Sequence, residues 1–236
     1  MLNPNDVNTV FNQCRVELTG VSEALLKSAL FETLDEFFRD TSCWKEELTI
    51  NVTPPASQPT TPQGWEQALS YPIAATEGQI IALDGVCNAN GSPVRALLPM
   101  SGTAPTQMGN SDAVVLLQDT PNQAQQYTVY VTKTVSLPLT RDNLPIAPAW
   151  VLQKWHLAIK AGILGMLQNQ KNKSFSDLVG AKYNLAKFRQ FVANARSAAL
   201  RANTRGASAW RFPQSFRSVS QKGGVPTYGN GNDWGG

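Results

Sequence analysis

The apolar residues of this chain change period twice, and that change limits the folds open to it. From Ser22 to Asp40, Leu26, Leu30, Leu34 and Phe37 recur at helical spacing, with Leu25, Ala29 and Phe38 widening the stripe. From Glu47 to Thr53, polar and apolar residues alternate, as in a half-buried strand. Further short strands are expected at Gln79–Leu83, Val94–Leu98, Ala113–Leu117 and Gln126–Leu137. In the last of these, Tyr127, Val129 and Val131 share one face, and Thr128, Tyr130 and Thr132 the other. After Pro145 and Pro148 the helical period returns. Trp155, Ile159, Ile163 and Met166 mark one helix over Ala149–Gln168. Leu178, Ala181, Leu185, Phe188, Val192, Ala195 and Ala199 mark a second that runs to about Ala202. Helix, then strands, then a helical hairpin implies an α+β fold. The expected architecture is a helical bundle, with one N-terminal helix plus a C-terminal helical hairpin. An antiparallel β sheet or small sandwich is inserted into it, and an extended C-terminal arm follows. The bundle is placed at 1–44 and 145–203, the inserted β region at 45–144 and the arm at 204–236.

Local signals refine this outline. Ser22 is an expected N-cap, with Glu23 in the first turn where the helix dipole favours it. Thr41-Ser42 is expected to end that helix, and Asp84-Gly85 to make a tight turn. Gly162 and Gly165 weaken a helix by roughly 1 kcal/mol each, which suggests that another helix packs close there. Asn169–Ser174 reads as a polar turn, with Ser174 or Ser176 capping the last helix. The segment Asn3–Gly20 reads only as mixed, with Val7, Val10, Phe11, Val16 and Leu18 as its apolar positions. Pro54–Gly64 is a Pro/Thr-rich surface loop.

Catalytic chemistry finds little to work with. The 236 residues contain a single histidine, His156, in a helical context beside Trp155. Cys14, Cys43 and Cys87 are widely spaced, with no CxxC, so they read as reduced thiols rather than a disulfide framework or zinc site. No nucleophile elbow, Walker A loop or dinucleotide fingerprint is present. The Gly-rich stretch Gly229–Gly236 has no helix after it to hold a phosphate. Asp35 and Glu36 are adjacent on a helix and so do not face each other, which suggests a solvated acidic face. The expectation is a non-enzyme with no cofactor and no metal. No apolar stretch approaches the ~20 residues of a membrane span, and the first residues lack the basic and apolar regions of a signal peptide.

Charge is segregated along the chain. Residues 1–146 hold 7 Lys/Arg and 15 Asp/Glu, a net of −8, whereas residues 147–236 hold 13 and 2, a net of +11. The basic half suits nucleic acid. It equally suits the acidic half of a second copy, in a head-to-tail contact that closes into a ring where the rotation permits. Beyond Asn203 the composition turns to Arg, Ser, Gly, Pro and aromatics. Trp210, Arg211, Phe212, Phe216, Arg217, Tyr228 and Trp234 are the residue types enriched at interface hot spots. They are the candidate site for docking on a partner or a neighbouring subunit.

Two segments carry that resemblance. Phe37-Phe38-Arg39-Asp40-Thr41-Ser42-Cys43-Trp44, followed by the strand Glu47–Thr53, resembles the "EFxRxTxxW" signature of head-to-tail adaptor (connector, head-completion) proteins of tailed bacteriophages. Ile159-Lys160-Ala161-Gly162-Ile163-Leu164-Gly165-Met166-Leu167 resembles the "AIxxGAxxxLL" helix of the same family, although Gly165 stands where that family often has a larger residue. A polar turn and a last helix over Asp177–Phe188 follow, as they do there. The likeness covers about 20–53 and 140–203, in order. It implies a structural virion protein at the head–tail junction, assembled in the host cytoplasm. Such a protein forms a homo-oligomeric ring, with a dodecamer as the suggested size. The implied partners are the portal protein and a tail (nozzle or tube) protein. Genomic DNA passes through the channel without sequence-specific binding, and no membrane is involved. The alternative from a different class is a nucleic-acid-binding protein that uses the basic C-terminal helices and the arm.

Overall fold

A computed structural model describes residues 1–53, 69–98, 112–117, 123–136 and 144–203. The Pro54–Gly64 loop and all seven arm residues named above lie outside these. In chain order the described elements are α1 (Pro4–Glu17), α2 (Glu23–Thr41), β1 (Lys45–Val52), β2 (Leu69–Ala74), β3 (Gln79–Cys87), β4 (Pro93–Val94), β5 (Ala96–Leu97), β6 (Asp112–Leu117), β7 (Gln125–Thr134), α3 (Trp150–Gln168) and α4 (Leu178–Asn203). The α+β class and the order of helix, inserted strands and helical hairpin are as the periodicity implies.

The segment read as mixed is a helix. Asn3 caps α1 by accepting the Asn5 amide at 3.0 Å, and Pro4 occupies the first turn, where its missing N–H costs nothing. The buried face of α1 is Val7, Val10, Phe11 and Cys14. This is a regular helical stripe once the cysteine is counted as a small hydrophobe. Burial pushes the Cys14 thiol up to about 12, so it stays protonated and inert. In α2, Ser22 caps as expected, accepting from the Leu25 amide, and Ser42 ends the helix in the left-handed conformation.

The β insertion is a small sandwich. One antiparallel sheet has the order β1-β7-β3-β4 and the other the order β2-β6-β5. They share a core of Ile50, Val52, Val86, Tyr127, Val129 and Val131 from the first and Ile73, Val115 and Leu117 from the second. Asp84-Gly85 is not a turn. Both residues lie within β3, where the register against β7 shifts between Leu83 and Gly85. The irregularity aims the Asp84 carboxylate at the Thr132 hydroxyl (2.9 Å) and the Lys45 ammonium (3.0 Å).

A second core lies among the helices, and the two cores meet at Trp44. Phe37 and Phe38, at the end of α2, are fully buried. Phe38 packs against Trp44, tilted, and against Trp150, edge to face, with ring centroids 5.1 and 6.0 Å apart, and Phe37 packs tilted against Trp155 at 5.9 Å. The Lys133 side chain, only 4% exposed, lies over the Trp44 ring at 4.5 Å and pairs with Glu46 at 2.8 Å. The Lys133 amide donates to the Trp44 carbonyl. The Thr76 hydroxyl and amide donate to the same Glu46 carboxylate. Gly78 closes the site at φ +78°. A Cβ there would fall 2.5 Å from the Trp44 ring and 2.6 Å from the Thr134 carbonyl. Finally, the Thr134 hydroxyl donates to Asp35 at 2.7 Å, and Asp35 also holds Arg39 at 2.8 Å. Asp35 therefore bridges helix and sheet, which corrects the reading of Asp35 and Glu36 as a merely solvated face.

Burial raises the Glu46 carboxyl, but hydrogen bonds from Lys133 and Thr76 outweigh it and hold the group below its ordinary value of 4.5. A depressed acid contributes stability that is fully present above 4.5 and is lost as pH falls through the lower folded value. Glu46→Ala should cost about 3–5 kcal/mol at neutral pH, because it strands Lys133. Glu46→Gln should flatten the acid limb of a melting-temperature profile below pH 4.5. An unchanged acid limb would show that the pair is energetically idle.

Candidate interaction surface

The hairpin α3–α4 carries the basic half of the chain, and its geometry begins with two glycines. A Cβ on Gly162 would collide with Thr33 of α2 and come within 3.2 Å of Phe188 of α4, and one on Gly165 would lie 2.8 Å from Leu185. Both glycines therefore let neighbouring helices close on α3, as the sequence implies. Among the buried residues of α4, Ala181, Phe188, Val192 and Ala195 form the inward stripe. Asn184 joins it and donates to Gln168 of α3 at 2.9 Å inside the interface. The cap of α4 is neither Ser174 nor Ser176 but Asp177, whose Oδ1 accepts from the amides of Val179 and Gly180 at 3.1 and 3.0 Å. A carboxylate there gains from the helix dipole as well as from the hydrogen bonds. Ser174 instead ties the turn to the Thr19 carbonyl, and Ser176 braces the turn itself.

Outside this buried stripe α4 is open and cationic. Lys182, Lys187, Arg189, Arg196 and Arg201 are all exposed, and the helix contains no Asp or Glu. Lys187 leans over the Tyr183 ring at 6.0 Å. Val179 is 80% and Tyr183 66% exposed, with Leu178 beside them. Across from α4, Glu36 of α2 lies half-buried. Burial and then the neighbouring Asp40 raise its carboxyl, while Arg189 opposes them. Among the described residues, five acids of the first half are taken up in ion pairs with Lys or Arg within the chain. Glu17 pairs with Lys160, Glu23 with Lys27 and Arg15, Asp35 with Arg39, Glu46 with Lys133 and Asp84 with Lys45. The net charges of the two halves concealed this, because most cations of the first half are consumed by its own acids.

The other residues singled out from sequence do not converge. His156 is exposed on α3, one residue past a break in helical geometry at Trp155 (φ −122°, ψ 21°). Burial raises the Cys43 thiol, and the Thr41 hydroxyl 3.0 Å away partly offsets it. Cys87 lies in β3, in the other core's sheet. Among the described residues, no three His, Cys, Asp or Glu side chains are grouped to hold a metal ion, and no helix is long and apolar enough to cross a membrane. Trp210, Arg211, Phe212, Phe216, Arg217, Tyr228 and Trp234 fall outside the described residues. The chain matches no protein-family model and no curated protein sequence.

The close approach at Gly162 is testable by a double-mutant cycle. Gly162→Ala should destabilise by about 1–3 kcal/mol through overpacking against Thr33. Thr33→Ser deletes the colliding methyl group, so the pair should recover part of the loss in chemical denaturation. Additive losses would place the strain elsewhere.

Proposed function

We propose that this chain is a structural virion protein that forms a ring joining the portal vertex to the tail and extending the DNA channel. The observation that carries this reading is the ordered pair of motifs and what they build. Phe37–Trp44 makes the joint between the N-terminal helices and the inserted sandwich, and Ile159–Leu167 makes the close-packed core of the helical hairpin. Both motifs serve packing, which suits a protein whose function is shape. In this reading the protein is not an enzyme and uses neither cofactor nor metal, and His156 is dispensable.

The ring is homo-oligomeric, probed first as a dodecamer, and its partners are the portal protein above and a tail protein below. The arm supplies the anchor. Their spacing would put Trp210, Phe212 and Phe216 on one side if the segment were extended, as a strand added to a partner's sheet requires, and Arg211 and Arg217 on the other. Ordering such an arm costs roughly 1–2 kcal/mol per fixed backbone residue, so binding depends on well-buried aromatic anchors.

Native mass measurement of the full chain, alone and with purified portal protein, tests the reading. A defined higher oligomer with portal is the expected result, and a chain that neither oligomerises nor binds portal sinks it. Trp210→Ala, Phe212→Ala and Phe216→Ala combined in the full chain should abolish portal binding while leaving the melting temperature unchanged. Undiminished binding would move the attachment to the bundle surface.

A further inference from the structure

The strongest unexplained feature of the described surface is the cationic line on α4. Lys182, Arg189 and Arg196 are seven residues apart, so they stand nearly in line along the helix, about 10.5 Å between neighbours and drifting only ~20° per step. All three are exposed, and among the described residues none of them belongs to an ion pair within 4 Å. The preceding turn adds exposed Lys171 and Lys173, and the acid between them and the helix, Asp177, is committed to capping. Beside the line, Ala186, Gln190, Ala193 and Ser197 form the outermost ridge of the helix. All are small or uncharged, so a broad partner can approach closely. From α2, Glu36 bears on Arg189 at the centre of the line, and Asp40 lies beside Glu36.

We infer that this face of α4 binds the phosphate backbone of a nucleic-acid duplex without reading its sequence. Evenly spaced cations on an acid-free helix match a polyanion of regular charge, which carries one negative charge per ~1.7 Å of duplex axis. Contacts of this kind position a duplex and carry no base information. A protein partner is the less favoured occupant, since the large exposed apolar side chains of α4 stand at Leu178, Val179 and Tyr183 in its first two turns and at Leu200 near its end, leaving none on the ridge from Ala186 to Ser197 beside the line. The inference deepens the ring reading, in which a duplex passes the protein, but the contact belongs to the single chain. Loss of duplex binding and loss of ring formation are therefore separate results.

The test uses the full chain and a fluorescent duplex of arbitrary sequence, followed by anisotropy between about 50 and 200 mM salt. Wild type should bind, with affinity falling steeply as salt rises and with no preference between unrelated duplex sequences. Lys182→Gln/Arg189→Gln/Arg196→Gln should lower the salt slope by ~2.7, equivalent to a ~40-fold smaller loss of affinity over that range. These positions are exposed, so the melting temperature should hold. A full-chain variant with Arg205→Gln/Arg211→Gln/Arg217→Gln/Lys222→Gln removes arm charges and should retain the helix contribution. The inference is overturned if wild type does not bind duplex at the lowest salt, or if the helix variant keeps the wild-type slope. It is also overturned if the helix variant loses portal or self-association while duplex binding is untouched, which would assign the face to an acidic protein.

Discussion

The structure turns on a charge placed where charge is expensive. Lys133 is buried at the boundary between the two hydrophobic cores, and an unpaired ammonium there would be severely destabilising. Its surroundings answer each need in turn. Glu46 supplies the counter-charge, the Trp44 ring supplies a π face, and the Trp44 carbonyl takes the backbone amide. Each partner lies in the first two residues of β1 or just before it, so the pair fixes where the sandwich strands begin relative to α2. An apolar pair would fill the volume, but it would not distinguish this register from one displaced by two residues. The charges do, because only one alignment satisfies both.

Much of the fold was legible in the sequence because long periodic segments reveal which face they bury. The α2 stripe, the alternation in β7 and the paired helices α3 and α4 all follow from spacing alone. The failures are equally physical. The α1 stripe is visible only when Cys14 is counted as apolar, and the pairing of Asn3 as cap with Pro4 in the first turn was the signal that could have found it. Asp84-Gly85 has the composition of a turn, yet pairing with β7 overrides it and turns the pair into a strand irregularity. β2 carries a proline in a six-residue edge strand, which hides it from any strand pattern.

The site was less legible than the fold. Half-chain charge sums pointed to opposed acidic and basic surfaces, but a sum cannot show which charges neutralise each other internally. The acids of Glu17, Glu23, Asp35, Glu46 and Asp84 are paired within the chain, whereas Lys182, Arg189 and Arg196 of α4 belong to no ion pair within 4 Å among the described residues. Part of the acidic charge is therefore spent inside the fold, while α4 keeps an exposed basic face. A hint was available in the parity of β7. Lys133 continues the inward series Tyr127, Val129, Val131, and a lysine on a core-facing parity demands a buried carboxylate somewhere. Glu46 occupies the matching inward parity of β1.

The chain reaches the sandwich from the bundle through Trp44 and comes back after Thr134, and these two crossings are neighbours. β1 and β7 pair antiparallel from Lys45 opposite Thr132 to Val52 opposite Gln125, so the incoming and outgoing strands form one hydrogen-bonded ribbon. Mechanically, that ribbon is a lever rooted in the helical core. A push on the far end of the sandwich cannot slide one crossing past the other without breaking the whole ladder together. It must instead rotate the ribbon about its root, where the aromatic cluster and the Lys133–Glu46 pair resist. In an assembly that carries load, the sandwich would tilt as a rigid paddle, and the torque would be felt first at Trp44.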